Sequence, residues 1–376
     1  MIRHSVFAGE AGMSEVFFAG ESSPGASFAE ELTALMREYE TKCADAGCSP
    51  ETEILLRFHV SDPANQQPEL KKQLAGRKGG FVSTVGQRPV SGARVSLEAL
   101  HWQGVNETHK QRTRNALTVT LKDGVLAVLH SLAEIPQGTS AAHTGAEFEA
   151  LSNYLMQHGG RVAKSTVRTW LYCRDVDNQY PGLVKARNVF FERAGLRRDT
   201  RYIASTGIEG KMSDPHRLVK MDSLSIVGLN SRHQRPVTAN DMLSPTHLYG
   251  VAFERGMQVF WSDREWCFIS GTASIDKDGK IVHPGDVEKQ TGRMLENIAT
   301  LLANAGVAWP DVKTAVVYLR DPSDAGIVRA ALAKTLPADL PLLMLEAPVC
   351  RPGWLVEMEC FAERTRRRSD GLEFQV

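Results

Sequence analysis

The chain has 376 residues, more than one ordinary domain needs and suited to two or three at about 100–200 residues each. Lys plus Arg number 44 and Asp plus Glu number 44, so the formal charge is zero and nothing in the bulk composition attracts a nucleic acid. The apolar fraction is 42%, ordinary for a globular chain, and no apolar run approaches the roughly 18 residues of a membrane span. Met1-Ile2-Arg3-His4-Ser5 leads into a short mixed stretch without the long apolar core of a secretory signal, so a soluble cytoplasmic protein is expected. Cys43, Cys48, Cys173, Cys267, Cys350 and Cys360 form no CxxC pair and mostly sit in apolar runs, which argues against a zinc site or a disulfide framework.

One pattern passes three times along the chain. In the first pass Ser27 and Glu30 form a capping box, and Phe28, Leu32, Leu35, Tyr39 and Cys43 follow at helical spacing. Gly47 ends that helix, the apolar run from Ile54 to Val60 predicts a strand, Asp62 stops it, and a second helix is predicted over residues 65–75. In the second pass Thr144 and Glu147 serve as the box, Phe148, Leu151 and Leu155 as the apolar face, and Gly159-Gly160 as the stop. The strand Val167–Cys173 and a helix over 183–194 follow. In the third, Val287, Met294, Ile298, Leu301 and Ala305 share a face, Gly306 ends the helix, and Ala315–Leu319 is the strand. A helix over 324–336 and strands over 342–345 and 355–361 complete that unit.

Each unit thus runs strand(s), helix, strand, helix, strand, strand, with boundaries near 1–104, 115–229 and 246–363 and a basic tail at 364–376. Residues 105–114 and 230–245 read as polar connectors, and the tail, opening Arg364-Thr365-Arg366-Arg367-Arg368, reads as a frayed, solvated end. The expected class is α+β, each unit a mixed sheet with two helices on one face. The uncovered face of each sheet must be buried against something. Three such sheets can meet as a pseudo-threefold barrel within a monomer, or whole chains can associate as a homotrimer.

Two segments carry candidate chemistry. Arg351-Pro352 precedes a strand holding Glu357 and Glu359, and Arg88-Pro89 precedes one holding Glu98. Proline keeps the preceding arginine extended, where its guanidinium can grip a carboxylate bidentately. Glu357 and Glu359 point to one side of their strand, and their repulsion raises one pKa toward the range useful for proton transfer. The same spacing also suits a plain ion pair at a sheet edge. The second unit places Lys211, Asp222 and Ser225 at these positions and reads as scaffold. The other segment is Phe268-Ile269-Ser270-Gly271-Thr272-Ala273-Ser274, mirrored by Phe17-Phe18-Ala19-Gly20-Glu21. There Gly271 admits close approach of backbone N–H groups and Thr272 offers a hydroxyl to a ligand, or the glycine serves a turn. His59, His101, His130, His233 and His283 are scattered and read as packed or surface residues, and no phosphate loop, Gly-x-Ser-x-Gly elbow or His-Glu-x-x-His occurs.

Residues 258–361 resemble the Rid (YjgF, L-PSP endoribonuclease-like) superfamily, through Phe268–Thr272, the helix with Gln290 and Asn297, Ala305-Gly306, Val317-Tyr318-Leu319 and the Arg351–Glu359 segment. The resemblance implies tandem chorismate-mutase-like units and sites between adjacent units. In those sites an arginine binds the carboxylate of an imine or enamine that water hydrolyses. By position Arg351 and Arg88 would be that arginine, and Glu359 and Glu98 the water-orienting acids. Residues 165–362 are also similar to the chorismatases, through Arg168–Tyr172, Tyr249–Arg255, Ile269–Ile275 and Cys350-Arg351 with Glu357. That similarity implies Glu357 as the acid, with Cys350 and Tyr249 beside the substrate. The chain departs from that family after Tyr249-Gly250, where the expected Pro and Ser are lacking, and in the further unit that precedes the matched region. The first reading is a Rid-type hydrolase or deaminase acting on a small carboxylate-bearing intermediate. The alternatives are chorismatase-like hydrolysis of chorismate and a non-catalytic protein that binds a small carboxylate. No metal or organic cofactor, nucleic acid or membrane is expected.

Overall fold

The computed structural model describes residues 1–10, 13–246 and 250–376. The chain begins with β1 (Ile2–Phe7), β2 (Glu15–Glu21), α1 (Phe28–Asp45), β3 (Glu53–Val60), α2 (Pro63–Gln73), β4 (Phe81–Gly86), β5 (Arg88–Pro89) and β6 (Val95–Trp102). It continues with β7 (Lys110–Arg112), β8 (Ala116–Thr120), β9 (Leu126–His130), α3 (Ser140–Gln157), α4 (Val162–Ser165), β10 (Thr166–Cys173), α5 (Val176–Ala194), β11 (Ala204–Glu209) and β12 (Val219–Val227). The last part holds β13 (Gln234–Val237), β14 (Gly256–Phe260), β15 (Arg264–Ala273), α6 (Val287–Ala305), β16 (Val312–Leu319), α7 (Ala325–Leu332), β17 (Leu342–Glu346) and β18 (Val356–Thr365).

These strands form three mixed sheets, ordered β1-β2-β6-β3-β4, β11-β10-β12-β9-β8-β7 and β13-β14-β15-β18-β16-β17-β5. The same ladder recurs in each. A central strand (β6, β12, β18) runs antiparallel to β3, β10 or β16, which in turn pairs parallel with β4, β11 or β17. Register equates Arg57↔Glu98, Trp170↔Asp222 and Val316↔Glu359, and one step on, His59↔Ser96, Tyr172↔Lys220 and Tyr318↔Glu357.

Alternation along the strands divides the core into two kinds of layer. On the outer faces the helices seal apolar clusters, such as Leu32, Leu35 and Tyr39 of α1 against Phe18, Leu56 and Phe58. The inner faces meet in one central cluster that includes Phe17 and Leu55, Leu129 and Leu224, and Phe268 and Phe361, a pair from each sheet. Among the described residues the sheets do not join into one closed barrel. They remain separate, linked by the isolated bridges Gly86↔Lys211, Ala204↔Glu254 and Ile208↔Val349 and by β5, which crosses to pair with β17.

Several local expectations need correction. The helix expected to start at Thr144 begins a turn earlier, capped by Thr139, and Glu147 is fully buried, accepting from the backbone N–H groups of Leu132 and Met221 and from Arg217. The connectors are not featureless, since β7 extends the second sheet and β13 the third. The tail is not frayed. Phe374 is 1% exposed, with its ring 4.9, 4.8 and 5.1 Å from those of Trp102, Trp261 and Trp266. Arg364 and Arg366 pair with buried Glu265, and Arg367 with Glu10. Burying one such ring contributes about 1.5–3 kcal/mol, enough to dock a short tail.

Candidate functional site

Glu357 and Glu359 stand two residues apart on β18, yet they face different cavities. Glu357 closes a small cavity of about 30 Å³ between the second and third sheets. Its walls come from α5 (Tyr180, Arg187), β11 (Ser205, Gly207), the segment Val251–Arg255, β15 (Gly271, Ala273) and the Cys350–Trp354 loop. Burial, and then the Glu359 carboxylate, push Glu357 up to about 8, against the opposing pull of Arg255 and Arg168. At neutral pH it is an uncharged carboxylic acid. Glu359 instead accepts from Arg168 Nη2 at 2.7 Å and Trp170 Nε1 at 2.8 Å, and lines the larger cavity where the three inner faces meet.

The glycine of the second sequence segment makes room for this acid. A Cβ at Gly271 would collide with the Glu357 carboxyl. Its N–H is not offered to a ligand, as the sequence suggested, but donates to Thr206 Oγ1 at 2.9 Å. Thr272 is likewise not on the cavity wall: it follows a bulge in the β15–β18 ladder, and its hydroxyl donates to the Ser270 carbonyl at 2.9 Å. Ser270 stitches the two sheets together, donating to the Glu254 carbonyl and accepting from the Ser205 N–H.

Three guanidinium groups line the cavity: Arg187, Arg255 and Arg351. Arg351 is half-buried, its guanidinium 5.4 Å from the Trp354 ring centre, and Arg255 donates to the Ser244 carbonyl at 3.1 Å. Arg187 is 1% exposed, and its Nε and Nη2 have no hydrogen-bond partner among the described residues. A buried cation is costly unless acceptors reach its donors. Cys350 lies beside Tyr180, and burial pushes its thiol up to about 12, which keeps it protonated.

The loop carrying Cys350 and Arg351 is held by Gln290 of α6. Gln290 is fully buried; it accepts from the Leu355 N–H at 2.9 Å and donates to the carbonyls of Gly353 (3.0 Å) and His283 (3.1 Å). Glu31 and His143 do the corresponding work in the first and second parts of the chain, accepting from the Arg94 and Leu218 N–H groups. Asn297 ties down the carbonyls of Ala273 and Ile275 at the end of β15.

Arg88 and Glu98 do not form a second site. Arg88 is exposed, its backbone paired with Glu346 at the rim of the third sheet. Glu98 pairs with Arg57 at 2.5 Å. Burial alone would raise its carboxyl, but Arg57 and His59 prevail and hold it at about 2. The proline after Arg88 directs the chain into an edge pairing that its spacing from Glu98 could not foretell. Tyr249 lies outside the described residues. Arg187 and Tyr180 escaped the sequence reading altogether. The available signal was an arginine on the stripe of Leu183, Phe190 and Phe191, where α5 is otherwise apolar.

Comparison with known proteins completes the description. The family model described as endoribonuclease L-PSP matches residues 256–364. The 3-aminoacrylate deaminase RutC of Acinetobacter baylyi is 30% identical over 96 residues, spanning 25% of this chain and 76% of that protein. Among solved structures a chorismatase superposes with a TM-score of 0.65 at 20% identity, covering 95% of this chain and 99% of the other. That likeness of fold runs the length of both chains, so the first unit is not an addition ahead of a shorter chorismatase-like region.

Proposed function

Because the chain belongs to the Rid (YjgF, L-PSP endoribonuclease-like) superfamily, we propose that the Glu357 cavity hydrolyses a small acid whose carbon–carbon double bond is activated by an attached oxygen, with chorismate as the leading candidate. The reading rests on one observation: the buried carboxyl of Glu357, pushed up to about 8, shares a cavity with Arg187, whose Nε and Nη2 have no hydrogen-bond partner among the described residues.

An enol ether is inert to water until a proton reaches its terminal carbon. Glu357 donates that proton, the positive charge passes to the ether oxygen, and water adds to the adjacent carbon. The C–O bond then breaks, the leaving alcohol is protonated, and the proton shed by the added water restores Glu357. For chorismate and one water the products are pyruvate and the ring diol. The arginines neutralise the carboxylates and hold the alkene against the acid. The open volume of about 30 Å³ holds only about one water, so a ring-sized acid enters with outward movement of half-buried Tyr180 and Arg351. Residues 1–104, 115–229 and 246–363 act in this reading as three repeats around one centre, with a working junction between the second and third.

The similarity to RutC favours a second reading, hydrolysis of an enamine. An enamine needs the same proton on carbon, with ammonia leaving in place of the alcohol. The protein is incubated with chorismate while pyruvate release and ultraviolet absorbance are followed, and with a short-chain enamine acid while ammonia is followed. Loss of turnover in Glu357→Gln alone supports the carbon-protonating acid. Loss in Glu359→Gln alone supports water orientation of the Rid type, and activity surviving both substitutions removes the site assignment. Saturable binding of chorismate without any product identifies a binding protein.

A further inference from the structure

Behind Glu359, where the inner faces of the three sheets meet, lies a second and larger cavity of about 100 Å³ that the reaction above does not use. Most of its wall is apolar, with Leu55, Leu129, Leu224 and Phe268 among its residues. Two buried guanidinium groups interrupt that wall. Arg57 is 1% and Arg168 2% exposed, and each retains one amino group, Nη2 and Nη1 respectively, without a hydrogen-bond partner among the described residues. Both flank the Trp170 ring, at 4.4 and 4.9 Å from its centre. The carboxylates of Glu98 and Glu359 also line the space.

Charge and size limit what fits. Arg57 pairs with Glu98 and Asp222, Lys220 with Asp222, and Arg168 with Glu359, which is three cations against three carboxylates. A further anion would bring an uncompensated buried charge, which is strongly unfavourable. A neutral hydroxyl suits both kinds of wall group, accepting from a guanidinium N–H and donating to a carboxylate. An apolar cavity of roughly 150 Å³ takes benzene, so this one admits at most about one small ring. We propose that the central cavity is a binding site for one small neutral hydroxyl compound, of phenol's size or less, distinct from the Glu357 cavity.

The probes are phenol and benzoate soaked in parallel into crystals of the full chain, and 4-fluorophenol titrated in solution by fluorine NMR. The expected result is a phenol ring between Leu129 and Phe268, its oxygen within hydrogen-bond reach of Arg57 or Arg168, and no benzoate in that space. Leu129→Phe and Leu224→Phe, which fill the cavity from β9 and β12, should weaken 4-fluorophenol by about tenfold or more. Glu357→Gln should leave that affinity unchanged. Ordered water alone in the soaked crystals, benzoate in the cavity, or undiminished binding in a folded filled variant each overturns the proposal. Should both filled variants fail to fold, the density in the unsubstituted protein still decides.

Discussion

Two junctions between sheets share one register and have opposite chemistry. Between the second and third sheets the position of Glu357 holds an acid pushed up to about 8, and the nearby Arg187 has two donors without a partner among the described residues. Between the first and second sheets the equivalent position is Lys220. It donates to Ser83 and lies 3.1 Å from Asp222 Oδ1, and Arg57 bridges Asp222 and Glu98. Burial by itself would raise Asp222, yet Lys220 and Arg57 hold it at about 2. One junction satisfies its charges internally and contributes rigidity. The other gathers a buried acid and three guanidinium groups around one cavity. Which side chain stands one step from the central carboxylate decides between the two.

Substitutions that attack the contrast should differ in kind as well as size. The largest effect is expected from Glu357→Gln, a loss of about 10²–10⁴ in kcat for removal of a general acid. In the unsubstituted protein kcat should hold below about pH 8 and fall above it, as Glu357 loses its proton. The stability sign follows from the same shift. A folded-state pKa raised from 4.5 to about 8 leaves Glu357 without penalty at acid pH and costs stability progressively across that window. Glu357→Gln should therefore be more stable than the unsubstituted protein at pH 8, by roughly 2–4 kcal/mol in urea unfolding.

Arg57→Leu attacks the closed junction. It leaves Glu98 and Asp222 short of their shared cation and should destabilise the fold by about 3–5 kcal/mol. Chorismate turnover per folded molecule should change far less. A stable Arg57→Leu protein would show that the cluster does not brace the sheets. Arg187→Leu should do the reverse. Removing a buried cation with two donors unpartnered among the described residues should leave stability equal or higher, while KM should rise by about 10²-fold if Arg187 holds a substrate carboxylate. Unfolding of this variant would mean that Arg187 is structural. The smallest effect is expected from Gln290→Glu, which introduces the residue type used at the corresponding position 31. Without amide donors for the Gly353 and His283 carbonyls the Arg351 loop loosens. KM should rise about tenfold, near 1.4 kcal/mol, with the pH profile of kcat unmoved.

The sequence exposes what is local and periodic. The capping box at Ser27 and Glu30, the apolar faces of α1 and α6, and the apolar strands β3 and β16 are each written in a short stretch, which is why the threefold pattern is visible from residues alone. The paired glutamates on β18 are visible for the same reason. What stays hidden depends on parts distant along the chain. Arg168 meets Glu359 across 191 positions, and Arg57 meets Asp222 across 165. The Arg-Pro spacing pointed to Arg88 and Glu98 as a pair, but tertiary contacts give Glu98 to Arg57 and send Arg88 to a sheet edge. Arg187 was hidden because an arginine on a helix ordinarily faces water. The tail misled because its basic run gives no hint that Phe374 lies beyond it as an aromatic plug.

All three sheets lie on one polypeptide, and β5 sews the first part of the chain to the rim of the third sheet. A substitution therefore enters one junction at a time, whereas in a ring of identical subunits it would enter every junction together. A buried acid that costs stability as pH rises above the ordinary carboxylate range is then carried at one junction rather than at three.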